Sequence, residues 1–112
     1  MKLWYTCPVE KVKSIKQLED LHFQHPLVML YFSRYLCGVC HVMKPQIENV
    51  MKDYPSIILK EVNVDELPQI SGQMTVFSVP AVVLLAEGKE IMRQAGYLNL
   101  GTLRNYLDRI TD

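Results

Sequence analysis

With 112 residues, about half of them apolar and about a fifth charged, the chain has the size and balance of one globular domain. Lys plus Arg equals Asp plus Glu, so no basic excess points to nucleic acid and no like-charge run suggests an electrostatic tail. Three cysteines, an odd number, do not make a secreted disulfide framework.

Met1 to Pro8 hold no apolar stretch of signal-peptide form, and the longest apolar run, Pro26 to Phe32, falls far short of the about 18 residues a membrane span needs. A cytoplasmic location without membrane contact is the expectation. Residues before Ser14 are candidates for an edge strand, which Trp4 and Tyr5 would suit, with Cys7 as a small core residue or free thiol in it. Ser14-Ile15-Lys16-Gln17 has capping-box form, and Ile15, Leu18 and Leu21 continue it as an apolar stripe at helical spacing. That helix should stop near Gln24, because the residue before Pro26 disfavours helical geometry, leaving His22 and His25 as surface residues at its end.

Leu27 to Phe32 is an unbroken apolar run suited to a central strand covered on both faces. From Cys37 the period changes: Met43, Ile47, Val50 and Met51 mark the buried face of a helix, which Pro45 should kink. Ile57 to Val64 returns to a strand pattern, and Glu66 to Met74 reads as a short helix or irregular crossover. Ala81 to Ala86 and Glu90 to Gln94 are strands joined by a tight Glu87-Gly88-Lys89 turn. Leu100, Leu103, Leu107 and Ile110 close the chain with an amphipathic helix. Alternating elements with a late hairpin predict an α/β fold, a mixed sheet with helices on both faces and no second domain.

The chemistry concentrates at Cys37-Gly38-Val39-Cys40, a C-x-x-C directly after the buried strand and at the start of a helix. Unpaired backbone N–H groups and the helix dipole there favour negative charge, which stabilises a Cys37 thiolate. Cys40 follows on the same helical face, so Cys37 can attack a disulfide and Cys40 can resolve the mixed disulfide into a closed ring. Gly38 keeps the approach to the sulfur open. No bound cofactor is needed, since both electrons reside in the cysteine pair.

At these residues the chain resembles the thioredoxin family. Val28 to Cys40 looks like that family's strand, loop and active-site helix, and Pro45 matches its helix-kinking proline. Val62-Asn63-Val64-Asp65 resembles its third-strand ending, Ser78-Val79-Pro80-Ala81 its cis-proline segment, and Gly88 and Gly96 its hairpin and loop glycines. The likeness runs from about Ser14 to Ile110. It implies the thioredoxin fold, a Cys37–Cys40 disulfide, Cys37 as attacking and Cys40 as resolving thiol, and a cis Val79–Pro80 bond. It further implies substrate contacts at Leu36, Val79 and Gly96, disulfide-containing protein substrates, and a thioredoxin reductase or other thiol donor. The chain is expected to act as a monomer, and as a reductant.

The departures from the family pattern shape the remaining expectations. Val39 stands where the family has a proline, Leu36 where it has a tryptophan, and Ser33 where it has an aromatic. The family's buried carboxylate falls at Tyr31, read as a buried aromatic whose phenol cannot serve as a base at neutral pH. Glu61 falls where the family has a nearby lysine, and strand alternation puts it on the face of Ile57 and Leu59. Two readings of Glu61 stand side by side: the base for Cys40, or an exposed strand-end glutamate.

Other readings of the cysteines stay open at this point. Cys37 to His41 also spells the C-x-x-C-H signature of c-type haem attachment, and Cys37, Cys40 and His41 could ligate zinc, although no second cysteine pair completes a tetrahedral site. His41 alternatively is a first-turn residue able to tune Cys37. A thioredoxin-fold adaptor would use the same fold for binding alone. No metal is expected.

Overall fold

Ser14 opens the first helix as read. In a computed structural model that describes residues 9–111, its hydroxyl accepts from the Gln17 N–H at 3.0 Å and starts α1, Ile15–Gln24. The Gln17 side chain reaches back one residue further than a capping box requires, accepting from the Lys13 N–H at 2.6 Å. His25, just before Pro26, is extended at φ −135° and ends the helix.

The chain then enters β1 (Leu27–Ser33), α2 (Gly38–Met51), β2 (Ile58–Asn63), α3 (Pro68–Gln73), β3 (Ala81–Ala86), β4 (Lys89–Ala95) and α4 (Leu100–Thr111). The sheet order is β2-β1-β3-β4, with β1 parallel to β2 and antiparallel to β3, and β4 antiparallel to β3. β1 is central and buried on both sides because its six residues Val28–Ser33 offer no exposed face. The β3–β4 connection is the expected tight turn. Glu87 and Gly88 both take positive φ, +50° and +83°, the two-residue geometry that matches sheet twist. The segment after Glu66 resolves as a helix whose first residue is Pro68, where a missing N–H costs nothing.

Each sheet face has its own core. Val28, Leu30, Phe32, Val62, Val83 and Leu85 pack beneath Leu18 and Leu21 of α1 and Ile70 of α3. Met29, Tyr31, Val82 and Leu84 pack against Ile47 and Val50 of α2 and Leu103 and Leu107 of α4. Tyr54, just past α2, ties that helix to α4 by donating to Asp108 Oδ1 at 2.6 Å. No helix among the described residues is long and apolar enough to cross a membrane.

Two expectations need adjustment. Trp4, Tyr5 and Cys7 lie outside the described residues, but the segment following them does reach the sheet: Lys11 forms one parallel bridge with Glu61 at the outer side of β2. His22 is half-buried rather than a surface residue, since the hairpin turn at Gly88 packs over its ring and encloses Nδ1. His25 is likewise half-buried.

Candidate active site

β1 delivers the chain to the cysteine pair, and the α2 start holds it. Cys37 occupies the position before the first helical residue, extended at φ −139°, and its Sγ accepts from the Cys40 N–H at 3.1 Å. Cys37 and Cys40 are joined by a disulfide with their Cα atoms 5.2 Å apart. The two sulfurs are not equivalent. Cys40 is 1 % exposed, whereas Cys37 is half-buried beside an exposed Leu36 and Val39. A side chain at Gly38 would meet no atom within 4 Å, so the glycine sits in open space beside the disulfide.

The loop before Cys37 is fixed from the β2–α3 connection. The Tyr35 N–H donates to Asp65 Oδ2 at 3.0 Å, and the Tyr35 hydroxyl donates to Glu66. That bond raises the Tyr35 phenol above its ordinary range and lowers the Glu66 carboxyl below its own. Lys11 adds a cation 3.4 Å from Glu66 and 5.9 Å above the Tyr35 ring. His41 lies in the first turn of α2, as read, with Nε2 3.4 Å from the Tyr35 carbonyl oxygen.

Beneath the disulfide, Tyr31 and Glu61 sit opposite one another in the β1–β2 register. Tyr31 is buried, and its hydroxyl donates to the Cys40 carbonyl at 2.6 Å, seating the first turn of α2 on the sheet. Burial, and next the Glu61 charge, push the phenol up to about 12, so it stays neutral at physiological pH. Glu61 is 6 % exposed, which rules out the exposed strand-end reading. Its Oε2 accepts from Ser33 Oγ at 2.6 Å, and its Oε1 lies 2.9 Å from Lys44 Nζ. The lysine neutralises the charge without an aligned hydrogen bond, so Oε1 keeps acceptor capacity. A cavity of about 180 Å³ is lined by Cys40, Glu61, Ser33, Lys44 and Asn63 among others, so the buried cysteine and the carboxylate residue border one space.

The Val79–Pro80 peptide is cis. Ala81, next in the chain, pairs with Phe32 at the end of β1 that leads to Cys37, so the proline segment and the disulfide share one end of the sheet. The Pro80 carbonyl accepts from the Gly96 N–H at 2.9 Å. Gly96 stands at φ +83°, a backbone conformation that side chains strain, so position 96 suits glycine. Val79 is half-buried.

Several neighbours of this site went unread in the sequence. Lys44 lies one helical turn beyond Cys40, a spacing that could have flagged it. Ser33 was read only as a missing aromatic, and the Tyr35–Asp65–Glu66–Lys11 set spans elements whose pairing no local pattern reveals. Phe77 and Tyr97, 79 % and 78 % exposed, stand in the two loops that meet at Pro80 and Gly96. Among the described residues no group of three or more His, Cys, Asp or Glu side chains is placed to hold a metal ion.

Comparison with known proteins adds a sequence profile described as Thioredoxin, which matches residues 9–109. The thioredoxin-like protein YdfQ of Bacillus subtilis (strain 168) is 33 % identical over 97 residues, covering 87 % of this chain and 87 % of its own length. A thioredoxin of Mycoplasma pneumoniae is 30 % identical over 90 residues, covering 80 % of this chain and 88 % of its own. In three dimensions, a mutant thioredoxin of Halobacterium salinarum NRC-1 superposes with a TM-score of 0.83 at 22 % identity, covering 94 % of this chain and 92 % of that one.

Proposed function

The chain belongs to the thioredoxin family and is a thiol–disulfide oxidoreductase, and from that premise we propose how its residues divide the work. It acts on disulfide substrates and is reduced by thiol donors. In the reductive direction, the Cys37 thiolate attacks one sulfur of the substrate disulfide. That S–S bond breaks, a mixed disulfide forms, and the first substrate thiolate leaves and takes a proton. Cys40, once deprotonated, attacks Cys37 Sγ. The protein disulfide closes, the second substrate thiol departs, and two electrons have passed from protein to substrate. A thiol donor reverses the change by being oxidised to its own disulfide.

The observation that carries this assignment is the unequal burial of the two cysteines, with Cys37 partly exposed and Cys40 enclosed against a cavity that Glu61 also lines. Glu61 takes the proton of Cys40, directly or through water in that cavity, while Tyr31 holds the first turn of α2 in place. Leu36, Val79 and Gly96 border the substrate, with Gly38, Val39 and Pro80 shaping the approach. The same reading has the protein working as a single domain, as a monomer in the cytoplasm, and as a reductant. Its partners are then protein disulfides on one side and a thioredoxin reductase or another thiol donor on the other. A close cysteine pair in a chain of three cysteines supports a reducing compartment.

Trapping decides the order of the thiols. Cys40→Ser should accumulate a mixed disulfide between Cys37 and substrate, and alkylation of the reduced protein should modify Cys37 first. Preferential trapping by Cys37→Ser would reverse the assignment. Glu61→Gln should slow closure of the Cys40 bond by on the order of 100-fold while leaving attack by Cys37 nearly intact. Release of the mixed disulfide at the wild-type rate would remove Glu61 from the mechanism.

A further inference from the structure

The end of the sheet far from the cysteines carries a second concave surface. Leu27 of β1 pairs there with Ala86 of β3, about 17 Å along the strand from the Phe32–Ala81 pair that leads to Cys37. The last turn of α1 and the β3–β4 turn meet over this end. The Glu87 N–H donates to the Pro26 carbonyl at 2.7 Å, and Gly88 packs on the His22 ring. Between them lies a cavity of about 820 Å³ lined by Glu19, His22, Phe23, Pro26, Glu87 and Gly88.

Its charge has one sign. Glu19 and Glu87 bring two carboxylates, and neither has an ion-pair partner among the described residues. No lysine or arginine lines the cavity. α1 ends here, so the negative pole of its dipole adds to the same field. Phe23 lies two positions past the buried Leu21, which turns it away from the core, and it is 91 % exposed. His22 lines the cavity too, and its Nδ1 is enclosed with no hydrogen-bond partner among the described residues, a condition rare for buried polar atoms.

Carboxylates beside an exposed aromatic face are the groups that recognise an organic cation, through charge-assisted hydrogen bonds and cation–π contact. Glu19, His22 and Glu87 are not placed together to hold a metal ion. A guanidinium suits the set best, because its edge donates to carboxylates while its flat face stacks on a ring. The cavity is too large for one such group, and Phe23 and Pro26 continue it as exposed apolar surface. We propose that this cavity binds an arginine side chain carried on an apolar segment of a partner protein. Because it stands at the opposite end of the sheet from Cys37, a partner held here leaves the disulfide free to react. Binding does not involve the cysteines and is independent of the oxidoreductase reading.

The test titrates isotope-labelled, full-length protein by NMR with acetyl-leucyl-arginyl-leucine amide, its citrulline counterpart, and arginine amide alone. The arginine tripeptide should shift the amides of residues 19–24 and 87–89 saturably and leave those around Cys37 in place. Citrulline keeps the shape without the charge and should bind about tenfold more weakly. Glu19→Gln, Glu87→Gln and Phe23→Ser should each weaken the arginine tripeptide about threefold, as loss of one exposed charge or cation–π contact does. Arginine amide should bind more weakly than the tripeptide, and the prereduced protein should reduce a small disulfide equally fast with or without tripeptide. Shifts that do not saturate, shifts centred on Cys37, or equal affinity for the citrulline peptide would overturn the proposal. Arginine amide binding as tightly as the tripeptide would overturn the polypeptide occupant, and slowed reduction would overturn the free disulfide. If Glu87→Gln disturbs the turn, Glu19→Gln and Phe23→Ser still decide, since both side chains are exposed. A protein inert toward disulfides would sink the oxidoreductase reading and leave this one standing.

Discussion

Tyr31 commits its one proton to the Cys40 carbonyl at 2.6 Å, from a buried position facing Glu61. Its phenol is pushed from 10.0 up to about 12, by burial first and by the facing Glu61 carboxylate second. The sign follows from the neutral form being the one the fold favours. The native state holds this proton more tightly than the unfolded chain does. The resulting stability, roughly 2 to 3 kcal/mol, is fully present below about pH 10 and is lost as pH rises through about 12. Tyr31→Phe should therefore flatten the alkaline loss of stability between those limits. At neutral pH the same change should cost about 1 kcal/mol, because the Cys40 carbonyl loses its donor. Denaturant midpoints against pH for both proteins give the comparison, and parallel alkaline limbs would show that another group is responsible. Tyr35 and Tyr54, also raised, are common to both proteins and cancel. At this scale the sequence was informative where side-chain type and local period coincide. Alternation put Glu61 on the face of Ile57 and Leu59 and left burial and exposure both open, while Lys44 and Ser33, its partners at 2.9 Å and 2.6 Å, arrive from α2 and β1.

Elements were more legible than contacts, because a period of two or 3.6 is written locally. β1 extends one residue past the expected Phe32, β2 is one residue shorter than expected at each end, and β4 is one residue longer at each. One-residue differences of this kind are ordinary at element ends. The loop at Thr75 was invisible for a different reason. A threonine at positive φ contradicts local preference and persists only because Arg93 and Ser71 hold its surroundings. At the start of α1, by contrast, preference and structure agree. Ser14→Ala should lower stability by about 1 kcal/mol, as loss of an N-cap does, measurable as a lower urea midpoint at unchanged slope. A Gln17→Ala companion should lose less, since it removes only the outer bond to the exposed Lys13 N–H.

For the whole molecule, the continuous apolar run of β1 announces a central strand, and the two cores on its faces follow from the helices packed there. The residues before Ser14 offered an edge strand, but nothing local said which strand they would border or where. Glu10 to Val12 borders β2 with two backbone bonds, from the Glu61 N–H to the Glu10 carbonyl at 3.0 Å and from the Val12 N–H to the Glu61 carbonyl at 2.8 Å. The residue whose carboxylate shares a cavity with Cys40 is thus held at its backbone by a segment near the amino end. This gives the site an isotope clock that no thiol need tick. The Glu61 amide can take up deuterium only when the Glu10–Val12 pairing lets go, whether by itself or in a wider opening. Its uptake rate, read by NMR, should rise in a chain shortened through Val12 while amides of β1 keep theirs. An unaltered rate would mean that the strand seats Glu61 without help from the amino-terminal segment.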